Sequence, residues 1–212
     1  MRLEDYTSDA ICRAMSLSGF IEPSWTEAER PTLRVVLTPS FHPELCITVA
    51  DGAGGVSLSV VALAEKFSAP RADIHLPTNR EQSQLSSSVF QEVSELFQAA
   101  HAAFDSSRRY VCVDGMGSES CLVSRAGTQR LHAHVSGQAT GRFIARLIDV
   151  AWSGGRDPRV RNALARAASY LEIKYPLDVL PPEPLVTRLA VLGTPDDRRD
   201  YLEMLRRRKK EG

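Results

Sequence analysis

Residues 110–152 constrain the fold of this chain more than any other stretch. They contain Tyr-Val-Cys-Val-Asp-Gly, then Ser-Cys-Leu-Val-Ser-Arg-Ala-Gly-Thr-Gln-Arg-Leu-His-Ala-His-Val, then Thr-Gly-Arg-Phe-Ile-Ala-Arg-Leu-Ile-Asp-Val-Ala-Trp. The alternating runs 109–113, 118–124 and 129–135 read as strands. Asp114-Gly115 and Ala126-Gly127 between them supply positions that tolerate positive φ, so hairpins are expected. The helix that follows, from Thr140 to Trp152, carries Phe143, Ile144, Leu147, Ile148 and Ala151 on one face. Thr140 is its expected cap and Gly154-Gly155 its stop. Strands running into a helix that must bury one apolar stripe point to an antiparallel sheet with a helix laid on it.

The first hundred residues follow the same logic. Leu33, Val35 and Leu37 alternate with Arg34, Val36 and Thr38 until Pro39 breaks the run. A second strand is expected at 45–49, closed by Asp51-Gly52. A third, at 56–63, sets Val56, Leu58 and Val60 against Ser57 and Ser59, the pattern of a sheet covered on one side. Residues 71–76, between Pro70 and Pro77, are expected to form a fourth strand, and 78–88 a polar connection. Val89, Val93, Leu96, Phe97, Ala100 and Phe104 then fall on one helical stripe. A helix over 8–18, capped by Thr7 or Ser8 and ended by Gly19, precedes the sheet.

Beyond Gly155 the pattern becomes helical. Asp157-Pro158 is a cap followed by a first-turn proline, and Val160, Leu164, Ala167, Ala168 and Leu171 form a stripe. Two short helices, 184–192 and 195–209, are expected after the proline-rich 181–184. The fold class is therefore α+β: an antiparallel sheet of about six or seven strands with helices packed on one face, plus a small C-terminal helical appendage. The expected division is 1–155 for the core and 156–212 for the appendage.

Residues 33–152 resemble an uncharacterised group of small bacterial proteins. The shared words are Ser40-Phe41-His42-Pro43 after an apolar strand, the Gly54-Gly55 turn, and Asp114-Gly115 before the late strands. The aromatic positions often found after the Asp-Gly are replaced here by Ser118 to Ser120. The resemblance implies the order of sheet and helix and carries no activity. Residues 185–205 resemble a single HEAT-type helical pair through the Leu192-Gly193-Thr194-Pro195 hinge. One pair falls short of the roughly three repeats a solenoid needs, so this one is expected to dock intramolecularly.

Composition narrows the functional classes. The 212 residues are 43% hydrophobic and 25% charged, with no formal net charge. That matches a soluble globular chain and supplies no global field to gather nucleic acid. Cys12, Cys46, Cys112 and Cys121 form no C-x-x-C motif and read as small buried hydrophobes. The N-terminal residues lack a signal-like apolar stretch, and no segment reaches the roughly 20 apolar residues of a membrane span. The expected compartment is a reducing cytoplasm, with no membrane partner and no cofactor implied.

Several side chains remain as candidates. His132 and His134, two apart on a strand, share a face and have the spacing to grip one metal ion. A third ligand would have to come from His42, His75, Asp114 or Glu119. The plainer reading is two polar residues on a sheet face. His42, in a tight Phe-His-Pro connection, is a binding candidate or a turn-fixing hydrogen bonder. Arg142, Arg146 and Arg156 flank one helix and are candidates for an anion site, or solvate the helix, with Asp149 set to pair with Arg146. The glycine-rich 51–55 lacks a nucleotide fingerprint and reads as a hairpin. The basic run 206–210 reads as a solvated helix end before it reads as a nucleic-acid tail. No catalytic motif is recognisable.

The leading expectation is a non-enzymatic module that binds another protein in a bacterial cytoplasm, such as an immunity or antitoxin-type protein blocking a partner enzyme. The alternatives are a metal-dependent enzyme centred on His132 and His134, and a nucleic-acid-associated protein using the C-terminal basic helix. The first predicts an exposed apolar or aromatic patch rimmed by charge.

Overall fold

The computed structural model describes residues 7–26, 30–67, 75–104, 115–135 and 138–180. The chain divides into two compact units, Met1–Asp178 and Val179–Gly212. Almost all of the second lies outside the described residues. So do the expected helices at 184–192 and 195–209, the basic run 206–210, the expected strand at 109–113, and Cys112 and Asp114.

The first unit is α+β. Its elements are α1 (Ser8–Ala14), α2 (Pro23–Thr26), β1 (Thr32–Pro39), β2 (Leu45–Gly52), β3 (Gly55–Leu63), β4 (Thr78–Leu85), α3 (Ser87–Ala103), β5 (Met116–Ser124), β6 (Gly127–His134), α4 (Gln138–Gly154) and α5 (Pro158–Ser169). The six strands form one sheet in the order β4-β3-β2-β1-β5-β6, and each neighbouring pair is antiparallel. The first four strands form a meander, after which α3 leads to the β5–β6 hairpin on the opposite side of β1. Gly55 (φ 106°) and Gly127 (φ 116°) occupy the positive-φ positions that close the β2–β3 and β5–β6 hairpins. Glycine adopts this backbone without a Cβ clash. The glycine-rich 51–55 segment is thus a hairpin turn.

One face of the sheet carries the main core. Leu33, Val35 and Leu37 from β1, with Ile47, Leu58 and Val60 from the next two strands, pack under α3, α4 and α5. All five apolar residues expected on α4 are buried. On α3 the stripe is rotated slightly from the expected one. Phe90, Val93, Phe97 and Ala100 are buried. Phe104 lies past the helix end with an extended backbone and is exposed, not buried with the stripe. Phe97 and Phe143 meet edge to face at 5.6 Å and join α3 to α4. Asp157 caps α5 by accepting from the Arg159 and Val160 N–H groups, as the sequence implied. Thr140 is not a cap. α4 begins at Gln138, so Thr140 sits inside the first turn and is buried.

Residues 78–85 correct the expectation most. They form an edge strand, β4, not a connection; of the strand expected at 71–76, residues 71–74 lie outside the described residues and His75 and Leu76 are not in a strand. Thr-Asn-Arg-Glu-Gln-Ser-Gln-Leu has almost no apolar pattern because its covered face makes hydrogen bonds. Glu81 accepts from the backbone N–H groups of Arg156 and Asp157, the link between α4 and α5.

The other face of the sheet carries a smaller apolar cluster under α1. Ile11, Cys12 and Met15 rest on Val36, Cys46, Val61 and Cys121. Cys12, Cys46 and Cys121 are buried and free of disulfides. Burial pushes the Cys121 thiol up to about 12. α1 ends early, at Ala14, because Ser16 takes a left-handed backbone (φ 56°) and turns Leu17 back, with its N–H bonded to the Cys12 carbonyl. Gly19 lies beyond that end and is held close to Asp9, whose Oδ1 accepts from the Phe20 N–H.

Candidate functional site

The end of α5 and the β1–β2 loop build one surface around Tyr170. The hydroxyl of Tyr170 accepts the Phe41 N–H at 3.0 Å and meets His42 Nδ1 at 3.1 Å. A phenol oxygen has one proton and two lone pairs, so beside the amide it can either donate to Nδ1 or accept from it, according to the histidine tautomer. Burial, and then the positive charges of Arg166 and Lys66, hold His42 below the ordinary histidine value. The two rings also meet edge to face at 5.7 Å. Pinned in this way, the loop presents Phe41 to solvent, 70% exposed.

Beside Tyr170 lies a groove of about 490 Å³. Val135 and Ala145 line one wall, and Leu171 and Ile173 the other. Arg142 and Glu172 stand at its rim, both exposed. Glu172 has a left-handed backbone (φ 62°), and the Ile173 N–H returns to the Ala168 carbonyl, which turns Ile173 back against α5. A non-glycine residue in that conformation costs roughly 1–2 kcal/mol. The turn is kept because the following chain is fastened. Trp152 is stacked on Tyr175 at 4.6 Å and covered by the Arg161 guanidinium at 4.2 Å, and Asn162 exchanges hydrogen bonds with the Asp178 backbone. Gly141 lets α4 approach closely, since a Cβ there would stand 3.3 Å from the Val135 carbonyl oxygen.

Two of the binding candidates thus come to one place, His42 behind Tyr170 and Arg142 on the groove beside it. The other two do not join them. Arg146 is committed to Glu92, through two hydrogen bonds at 2.8 and 2.9 Å, and to Asp149 at 2.7 Å. Arg156 is exposed at the far end of α4, where its backbone N–H is bonded to Glu81. The three arginines form no common anion site. Sequence reasoning missed Tyr170 altogether. It lies 128 residues from His42, and no local pattern marks it.

His132 and His134 do share the face of β6 opposite Leu131. His132 is exposed across from Glu119, and His134 is half-buried across from Gly117. His134 Nδ1 is buried without a hydrogen-bond partner. Of the suggested third ligands, His42 is bound to Tyr170, His75 is bound to the Ser16 hydroxyl at 3.1 Å, Glu119 stands across from His132, and Asp114 lies outside the described residues. Among the described residues, no group of three His, Cys, Asp or Glu side chains is placed to hold one ion. Among them also, no helix is long and apolar enough to cross a membrane. No protein-family model matches the chain, and no curated protein matches it at a significant level.

Proposed function

We propose that this chain is a protein-binding module that grips a segment of a partner protein at the Phe41–Tyr170 surface. An immunity- or antitoxin-type protein that covers a partner enzyme in a bacterial cytoplasm is the concrete form of this reading. The observation that carries it is Phe41. An aromatic ring that is 70% exposed, on a loop fixed by the Tyr170 hydroxyl, is pre-ordered for contact. Rigid aromatic side chains next to a partly apolar groove are the usual anchors of protein interfaces. The charge at this surface selects the partner. Arg142 and Arg166 are exposed, and Glu172 is the acid that lines the groove. The fitting segment carries an apolar or aromatic residue flanked by carboxylates.

The test is co-purification from native lysate with the wild-type chain and with a Phe41→Ser, Arg142→Glu double variant. Both side chains are exposed, so folding is expected to be unaffected. A stoichiometric partner retained by the wild type and lost by the variant supports the reading. A wild-type chain that elutes alone, or a partner held equally by both, defeats it.

One observation favours a second reading, a metal-dependent enzyme centred on His132 and His134: the unpartnered, buried His134 Nδ1. Metal analysis of the purified chain decides this. A bound transition metal that disappears on changing both histidines to alanine supports it. A metal-free protein whose melting temperature ignores added zinc and manganese removes it.

A further inference from the structure

The face of the sheet opposite the three long helices holds a recess of about 510 Å³ between the chain that follows α1 and strands β1 to β4. At its floor is Arg34, whose side chain is only 4% exposed. A buried arginine must have every strong demand met. Its Nε–H donates to Thr48 Oγ1 at 2.9 Å, one terminal nitrogen to the Gly19 carbonyl at 2.6 Å, and the other to Glu22 at 2.7 Å. The Trp25 ring covers it at 4.1 Å. These bonds use three of the five guanidinium N–H groups and leave two. Arg80 stands at the exposed rim, tied to the Met15 carbonyl and, at 3.3 Å, to Thr78 Oγ1. After the left-handed turn at Ser16, Leu17 joins Val61 in lining the recess.

The charges around this space do not cancel. Arg34 and Arg80 are positive, and Glu22 is negative. Glu81 borders the recess through its strand, but its carboxylate lies on the helix-covered side with the Arg156 and Asp157 N–H groups. One positive charge is left over. Ser59 and Gln82, paired across β3 and β4, add hydroxyl and amide groups. The volume lies in the range of small-molecule sites, about 300–1,000 Å³.

We propose that this recess binds a metabolite-sized organic anion. Its carboxylate or phosphate is met by Arg34 below and Arg80 above, and its body lies between Leu17, Val61 and Ser59. The buried guanidinium is pre-oriented by Thr48, Gly19 and Glu22, so binding does not have to order a flexible side chain. This site is separate from the Phe41 surface and stands whether or not that surface binds a protein.

Calorimetric titration of the full chain with benzoate, phenyl phosphate and the neutral analogue benzyl alcohol tests the proposal. One-to-one saturable binding is expected for at least one anion and not for the alcohol. The stronger of the two anions identifies the head group. Arg80→Gln should weaken binding about tenfold, and Gln82→Glu, on an exposed edge-strand position, should weaken it comparably by repulsion. Ser59→Phe should abolish it by filling the space, while Phe41→Ser should leave it unchanged. If Ser59→Phe fails to fold, the Gln82→Glu result still decides. No saturable binding by either anion, equal binding of benzyl alcohol, or affinities indifferent to Arg80→Gln and Gln82→Glu would overturn it.

Discussion

On the helix-covered face, β1 to β3 present Leu33, Val35, Leu37, Ile47, Leu58 and Val60. One position along, the same strands turn Arg34, Thr48 and Ser59 to the other side. Both faces are shielded in places, yet by different means. The first is closed by three long helices over continuous apolar surface, where loss of any contact leaves a void. The second is closed by a two-turn helix, α1, over a small cluster. Beyond it lies a buried cation that needs directed partners. Dense apolar packing makes the first face rigid and chemically silent. The second keeps charge, hydrogen-bonding groups and open volume, the ingredients of recognition.

The largest effect is expected on the first face. Phe97 is fully buried and packs against Phe143. Phe97→Ala should cost about 3–5 kcal/mol in denaturant unfolding, as the lost transfer energy adds to the cavity left behind. A cost below about 1.5 kcal/mol would mean that the helix layer collapses easily onto the sheet, and the contrast between the faces would fail.

Arg34→Met tests the second face. Removing one member of a buried ion pair costs about 3–5 kcal/mol when the survivor is trapped. Glu22 is 28% exposed and can turn to water, so about 2–3 kcal/mol is expected here. Arg34→Lys should cost nearly as much, because a single ammonium cannot match the fork that reaches Thr48, Gly19 and Glu22 at once. Unfolding curves for the two variants check this. A neutral or stabilising Arg34→Met would show that the guanidinium serves no structural purpose.

The same contrast explains what the sequence disclosed. Apolar alternation in 33–38 and 56–63, the α4 stripe and the Asp157-Pro158 start all follow from burial on the first face, and burial leaves a periodic trace. β4 was illegible because its covered positions, Glu81 and Ser83, lie under the α4–α5 link, where backbone N–H groups call for an acceptor more than for carbon. Arg34 was visible only as a polar member of an alternating run. A charge set between Leu33 and Val35-Val36-Leu37 is a sign of a paired buried ion, and that sign was there to be read. Tyr170 and His42 could not be joined from sequence. Their contact depends on where α5 comes to rest against the β1–β2 loop.

Arg146 sharpens the comparison from the outside. It bonds carboxylates at distances like those of Arg34, but it is 34% exposed and its partners Glu92 and Asp149 are 47% and 44% exposed. Water and salt screen such pairs. Arg146→Ala should lower the melting temperature by about 2 °C or less. A drop as large as that of Arg34→Met would mean that burial is not what separates the two arginines.

The smallest expected effect is a pH slope that belongs to one place. Burial, Arg166 and Lys66 hold folded His42 below the 6.5 of an ordinary histidine. Between the folded value and 6.5, the unfolded chain binds more protons than the folded one, so stability rises with pH across that window. Above 6.5 the residue contributes no slope, and below its folded value none either. Protonation also places a positive charge next to Arg166 and Lys66 at the base of the Phe41 loop. His42→Gln should therefore flatten the fall in stability as pH drops below 6.5, while Arg34→Met, on the other face, should keep the wild-type slope. Denaturant curves from about pH 8 to about pH 5, with the His42 ring followed by NMR, measure both. A His42 that titrates at or above 6.5, or an Arg34 variant that loses the slope, would mean that the Tyr170 surface is not the pH-sensitive part of this molecule.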